Sequence, residues 1–283
     1  MQDPFAHCEA LVRAADKDRF LATLFAPAEH RGPLYALYAF NAEVARVREA
    51  IREPVAGEIR LQWWADVLGG EGRGDVAAHP IAAALQTIIA RYALPVERLA
   101  ALIDARRFDL YDEPMATLAD LEAYARGASS GLIALAAQIL DGGRAPDTAA
   151  LAEHAGLAHA IAGLIRALPI HAARGQLFVP LDVLERHGAD RHDVAHGQAT
   201  PQLRAALAEL RRGARRHLAQ ARQAMETAPF SIMPALLPVA LVAPTLTRME
   251  RSDRDPFVPV EIAPWRRQWL IWRAARQPDR IFA

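Results

Sequence analysis

Apolar residues recur along this chain every three or four positions, in blocks bounded by proline, glycine and aspartate. No stretch shows the period-two alternation of a strand. The block that organises the rest is 34–52, LYALYAFNAEVARVREAIR. Pro33 suits a first helical position and nothing interrupts the run before Pro54, so the pattern predicts one long helix. Its first half is apolar, with Tyr35, Leu37, Tyr38 and Phe40; its second half is charged, with Glu43, Arg46, Arg48, Glu49 and Arg52. Such a helix runs from a core into a cavity or to the surface, or it is an ordinary amphipathic helix with a solvated tail.

The same reading predicts helices over 16–26, capped by Asp16 or Asp18 and closed by Pro27, and over 58–68, with Leu61, Trp64 and Leu68 on one face. A glycine-rich break follows at 69–74, and then helices over 81–92 and 96–110. The second of these ends in Asp104, Asp109, Asp112 and Glu113, either magnesium ligands or solvated charges. The segment 117–140 reads as helix with Ser129, Ser130 and Gly131 in its middle, which suits close helix approach or leaves room for a ligand. A helix over 148–168 carries His154, His159, Gly163 and Arg166 and should kink or end at Pro169. A connector at 175–180 leads to a short helix over 181–187, followed by a long basic amphipathic helix over 201–227. The apolar run 230–247 holds Pro234, Pro238 and Pro244, so it reads as a buried, kinked bundle helix rather than a membrane span. The tail 264–276, PWRRQWLIWRAAR, is a Trp/Arg-rich helix. It suits a membrane interface, or else it packs on the bundle through its tryptophans.

Composition narrows the function classes. A chain of 283 residues, 52% hydrophobic, can bury one large all-helical core. A single domain over 1–283 is expected, with its core at about 15–250 and the Trp/Arg-rich helix in 251–283. The formal net charge is zero, so no global field steers the protein to nucleic acid. The lone Cys8 excludes an internal disulfide and fits a reducing compartment. MQDPFAHCEA lacks the basic-then-apolar pattern of a secretory leader, which points to the cytoplasm. His192 and His196, four apart with Asp193 between, could grip zinc on a helix face, but Gly188 and Gly197 suit a loop equally well and no third ligand is evident. No nucleophile-elbow spacing supports Ser129 or Ser130 as a hydrolase nucleophile. The tripeptide 73–75, Arg-Gly-Asp, carries no weight in a chain with no secretory pattern.

The block LYALYAFNAEVARVREAI resembles the first motif helix of the squalene/phytoene synthase family. The resemblance extends through FLATLFAPAEHRGPLYALYAFNAEVA, IRLQWWADVL, LEAYARGASSGLIAL and IRALPIHAARGQLFVP, most of residues 15–250. It implies an all-α isoprenoid-synthase-like bundle around a central cavity. In active members two aspartate clusters hold magnesium across that cavity, because a diphosphate leaves only when bridged to hard cations. In the first cluster's frame, Asp-Asp-x-x-Asp, this chain has Ala45, Arg46 and Glu49. In the second, Asn-x-x-Arg-Asp-x-x-x-Asp, it has Gly163, Arg166, Ala167 and His171, and the Gly-Arg-x-Tyr-x-Pro connector becomes Gly175 to Pro180, preceded by Arg174. Four of the five aspartate positions carry no carboxylate and the fifth is Glu49.

This pattern of loss resembles one branch of the family, the mitochondrial complex I assembly factors with a squalene/phytoene synthase fold. The resemblance therefore implies a bacterial-type, non-catalytic assembly factor with no cofactor. Its partners would be respiratory complex I subunits or assembly intermediates, with peripheral contact at the inner membrane. Tyr38, Asn41, Arg46, Glu49, Arg166, His171 and Arg174 would line the former diphosphate pocket and bind a prenyl or lipid diphosphate directly, unless Arg46 and Glu49 simply pair with each other. The alternative is an active head-to-head prenyltransferase that needs magnesium and recruits Asp104, Asp109 and Asp112.

Overall fold

The structure, a computed structural model, describes residues 3–51, 53–72 and 74–283. Among them the regular elements are all helical. The chain opens with α1 (Pro4–Ala15), a helix the apolar pattern did not single out. Asp16 then caps α2 (Lys17–Thr23), its carboxylate accepting from the Arg19 amide at 3.0 Å.

The organising block begins earlier and breaks sooner than its sequence pattern predicts. α3 runs Ala28–Ala45, with Pro33 inside its first turns rather than at its start. At Arg46 the backbone turns to φ −94, ψ 0, and a separate short helix α4 (Val47–Ala50) follows. Arg52, the predicted end, lies outside the described residues, as does Arg73 of the Arg-Gly-Asp tripeptide. The apolar half behaves as expected: Leu34 to Ala42 are buried without interruption, and Phe40 meets Trp64 edge-on at 5.2 Å.

After α4 come α5 (Pro54–Gly69), α6 (Pro80–Tyr92) and α7 (Val96–Arg107). A left-handed Gly70, at φ 79, closes α5. Next are α8 (Leu118–Ala125), started by a Thr117–Asp120 capping box, and α9 (Gly131–Leu140). The single helix predicted over 117–140 is interrupted by a π turn, Arg126–Ser130. Then follow α10 (Ala149–Arg166), α11 (Leu168–Ala173), α12 (Leu181–Arg186), α13 (Arg191–Ala195) and α14 (Pro201–Ala224). The run 230–249 has the length and mean hydropathy of a membrane span, yet 78% of its apolar window is buried in the bundle. Its prolines divide it into 3-10 turns, α15 (Met233–Leu236) and α16 (Val242–Met249). α17 (Pro264–Arg276) closes the fold.

α10 is the central post. It packs along α14 and against the π turn, α8, α9 and α16. A second layer sets α3 against α1, α6 and α9, and α5 against α7. Helix α9 joins the two layers because it is apolar all round: Leu132, Leu135, Ala136, Ile139 and Leu140 face one apolar cluster, while Ile133 and Ala137 face the other. The small residues of the π turn serve close packing. Gly156 of α10 lies directly against Ser130, whose Oγ donates to the Glu153 carbonyl at 2.9 Å.

The tail helix corrects one expectation. α17 does not pack through its tryptophans: Ile271 and Ala274 face inward, while Trp265, Trp269 and Trp272 are 70%, 45% and 48% exposed. Arg273 lies over Trp269 and Arg276 over Trp272, at 5.0 and 5.3 Å from the ring centroids.

Candidate functional site

The candidate residues divide into three neighbouring groups. The first is inside the bundle. Tyr38 and Asn41 are buried on α3, and the Arg19 guanidinium lies 5.6 Å from the Tyr38 ring centroid. Arg19 pairs with Asp16 at 2.5 Å, both side chains being largely covered. Burial works to raise the Asp16 pKa, but the charge and hydrogen bonds of Arg19 outweigh it and hold the carboxyl below its usual range. His159 of α10 shares this interior. Burial, then the nearby positive charges of Arg19 and Arg166, push it down to about 3, with Asp16 opposing, so it is neutral at physiological pH. Two small cavities meet here, of about 10 and 30 Å³, and both are lined by His159 and Pro238. Such volumes hold a water molecule or so.

The second group is at the α3–α4 break. Arg46 and Glu49 are exposed. Glu49 does not pair with Arg46; its Oε1 accepts from Arg174 Nη1 at 3.1 Å, which ties the first motif to the connector. Arg48 reaches Asp112 at 2.9 Å. His171 on α11 lies 4.4 Å from the Phe178 ring. Burial, then the positive charge of Arg174, push the His171 imidazole down to about 4, with Glu49 opposing. The Glu49–Arg174 side chains are 49% and 43% exposed, so solvent screens the pair. Replacing Glu49 by Gln is therefore expected to shift unfolding free energy by less than about 1 kcal/mol, read by urea denaturation. A loss of several kcal/mol would mean that the pair is a structural clamp.

The third group surrounds the end of α10. Arg166 is exposed and near Asp18. Asp18 is 2.9 Å from Arg267 of α17, an ion pair not aligned as a hydrogen bond. Burial holds the Asp18 carboxyl above its usual range in spite of Arg267.

Sequence reasoning missed Arg19, Asp18 and Arg267 as interior charges and His159 as a buried neutral imidazole. The signal was present in Asp-Lys-Asp-Arg at 16–19, four charges opening an otherwise apolar helix. The carboxylates named for the alternative do not gather. Asp104 pairs with Arg107, Asp109 with Arg106 and the Tyr124 hydroxyl, and Asp112 with Arg48. His192 and His196 lie at α13, but His196 Nδ1 is 2.8 Å from the His192 carbonyl and Asp193 accepts from Thr200. Among the described residues, no three His, Cys, Asp or Glu side chains converge as a metal site.

The squalene/phytoene synthase family profile matches residues 12–273. Over 253 residues the chain is 30% identical to human "NADH dehydrogenase (ubiquinone) complex I, assembly factor 6", covering 89% of this chain and 76% of that one. It is 28% identical to the phytoene synthase of Rhodobacter capsulatus over 236 residues, 81% and 68% of the two chains. In three dimensions it superposes on the squalene synthase HpnC of Alicyclobacillus acidocaldarius with a TM-score of 0.74 at 24% identity, covering 91% of this chain and 95% of that one. The bundle is therefore an isoprenoid-synthase fold, and the chain belongs to the squalene/phytoene synthase family.

Proposed function

We propose that this chain is a non-catalytic member of the family that assists assembly of respiratory complex I. The observation that carries the reading is the donor set at the motif positions. Magnesium takes six oxygen ligands. Ala45, Arg46, Ala167 and His171 offer it no carboxylate, and Glu49 is engaged by Arg174. These residues do not fit the magnesium cluster that diphosphate ionisation requires. The narrow interior beside Tyr38 and His159 supports the same reading, since a cavity of about 10 Å³ lined by Arg19 is too small for a hydrocarbon chain.

The assembly role rests on the likeness to complex I assembly factor 6 across most of the chain. Its partners would then be complex I subunits or assembly intermediates, met at the inner membrane from the cytoplasmic side. The outward tryptophans of α17, flanked by Arg266, Arg273 and Arg276, suit that peripheral contact. Arg46, Arg174 and His171 around the α3–α4 break would hold a prenyl or lipid diphosphate by direct charge-assisted hydrogen bonds.

Two measurements test the reading. Purified protein with farnesyl diphosphate and magnesium is expected to release no inorganic diphosphate above background. Deletion of the gene is expected to lower membrane NADH oxidation and the amount of assembled complex I. A magnesium-dependent squalene- or phytoene-type product would instead establish the prenyltransferase alternative. Normal complex I levels in the deletion strain would remove the assembly role.

A further inference from the structure

A separate cavity of about 240 Å³ opens between α10, α14 and the turn 249–260. Its wall carries the guanidinium-bearing residues Arg166, Arg204, Arg211, Arg251 and Arg254, with Glu250 the one carboxylate among them. That carboxylate is already engaged: Arg215, from outside the cavity, donates to both its oxygens at 2.7 and 2.6 Å. The cavity therefore has a large excess of positive charge inside a chain whose formal net charge is zero. Gathering like charges costs folding free energy, so a cluster of this kind is a candidate binding site for an anion.

Not all five arginines are free to bind. Arg204 donates to the carbonyls of Ala199 and Arg254, and Arg254 to those of Val258 and Pro259, so these two shape the turn. Arg251 is paired with Asp253 on the surface. Arg211 is different. Its Nε is buried without a hydrogen-bond partner, and its charged form is disfavoured first by burial and then by Arg212 and Arg204, with Glu250 opposing. It is a donor lacking an acceptor. The rest of the wall is hydrocarbon, from Ile165, Leu207, Met249 and Val260, and it opens past the half-exposed Val258.

We infer that this cavity binds the head group of an apolar phosphate or diphosphate ester, with Arg211 and Arg166 on the phosphate oxygens and the first carbons of the tail against Leu207, Met249 and Val258. Guanidinium forks match phosphate oxygens in pairs. The volume suits a head group and the start of a chain, and the rest would leave past Val258. The inference does not depend on the assembly role, and this site is separate from the one proposed at the α3–α4 break, sharing with the motif positions only Arg166.

The test is calorimetric titration of the full chain in EDTA with farnesyl diphosphate, inorganic diphosphate and farnesol. The ester is expected to bind at least about tenfold more tightly than either fragment, since each fragment supplies only one class of contact. Arg211→Gln is expected to weaken the ester at least about tenfold, the scale of one charge-assisted hydrogen bond. Arg211 Nε has no internal partner, so this change removes no hydrogen bond from that atom. Val258→Ser, on the exposed rim, is a second variant that removes apolar contact without adding charge and should weaken the ester while leaving inorganic diphosphate unchanged. Equal affinity in wild type and Arg211→Gln, inorganic diphosphate binding as tightly as the ester, or no binding without metal would each overturn the inference. Arg174→Gln separates the two locations. If it abolishes binding while Arg211→Gln does not, the ligand sits at the motif positions, and that reading survives while this one fails.

Discussion

Replacing Gly156 by alanine is expected to destabilise the protein by about 2–4 kcal/mol, whereas the same change at Gly163, two turns further along α10, should stabilise it by about 0.5–1 kcal/mol. A methyl group at Gly156 would overlap Ser130 Oγ and Cα and lie 2.5 Å from its backbone nitrogen. Two of these three atoms are backbone, and the π turn that holds them packs against both α7 and α10, so relief requires moving a helix junction rather than a side chain. At Gly163 nothing lies within 4 Å, so alanine only removes the entropic cost of a helical glycine. Thermal melts of the two variants against wild type check the contrast. In a domain of this size, each kcal/mol is worth roughly 2–4 °C. Melting points shifted in the same direction would mean that the α10–π-turn contact is looser than drawn. The Gly163 half also bears on function, since the resemblance sets an asparagine of the family at this position and a gain in stability with alanine is the behaviour of a site with no ligand to hold.

The helices were legible because proline, glycine and capping residues punctuate them. Pro264 starts α17 and Asp16, one of the two caps the sequence offers, caps α2, while Thr117, read as the start of a helix, proves to be its cap. The breaks were less legible. Nothing about Arg46 as a residue type ends a helix, and the π turn at Arg126–Ser130 reflects the need to fit α10 closely, a tertiary demand that local propensity does not encode. Of the candidate site, the sequence named Arg46, Glu49, Arg166, His171 and Arg174 from the resemblance but not their partners. Glu49 pairs across 125 residues with Arg174 rather than with its helical neighbour Arg46, because the short α4 presents it to the connector. The sequence left the inward face of α17 open for a related reason. Apolar weight favours the tryptophans, yet the smaller Ile271 and Ala274 fit the space beside α2. The interior charges were missed because single-sequence reasoning sends Asp and Arg to the surface, and only the fold reveals that Asp16 and Arg19 can be largely covered while satisfying each other.

Those covered charges lead to the second large effect, a loss of stability in mild acid that runs through His159. Its imidazole is buried beside Arg19 and Arg166 and titrates at about 3 in the folded chain, against an ordinary value of about 6.5 when unfolded. Because the folded pKa lies below the unfolded one, the unfolded chain binds the extra proton anywhere between those values. Stability from keeping this histidine neutral is fully present above about pH 6.5 and falls progressively as the pH drops towards about 3. Between pH 7 and pH 5 the loss from this one group comes to about 2 kcal/mol. His159→Leu removes the titration, and the imidazole Nδ1 has no hydrogen-bond partner to lose. Urea unfolding at pH 7 and pH 5 should therefore show wild type losing about 2 kcal/mol more than the variant. Parallel losses would mean that the imidazole is hydrated or finds Asp16 as an acceptor on protonation. The expected difference has a functional side as well. A protonated His159 would add a third positive charge beside Arg19 and Arg166, with Asp16 as the opposing carboxylate. Acid should then open the narrow interior that now excludes a hydrocarbon chain, and dye binding to exposed apolar surface should rise in the wild type at a higher pH than in the variant.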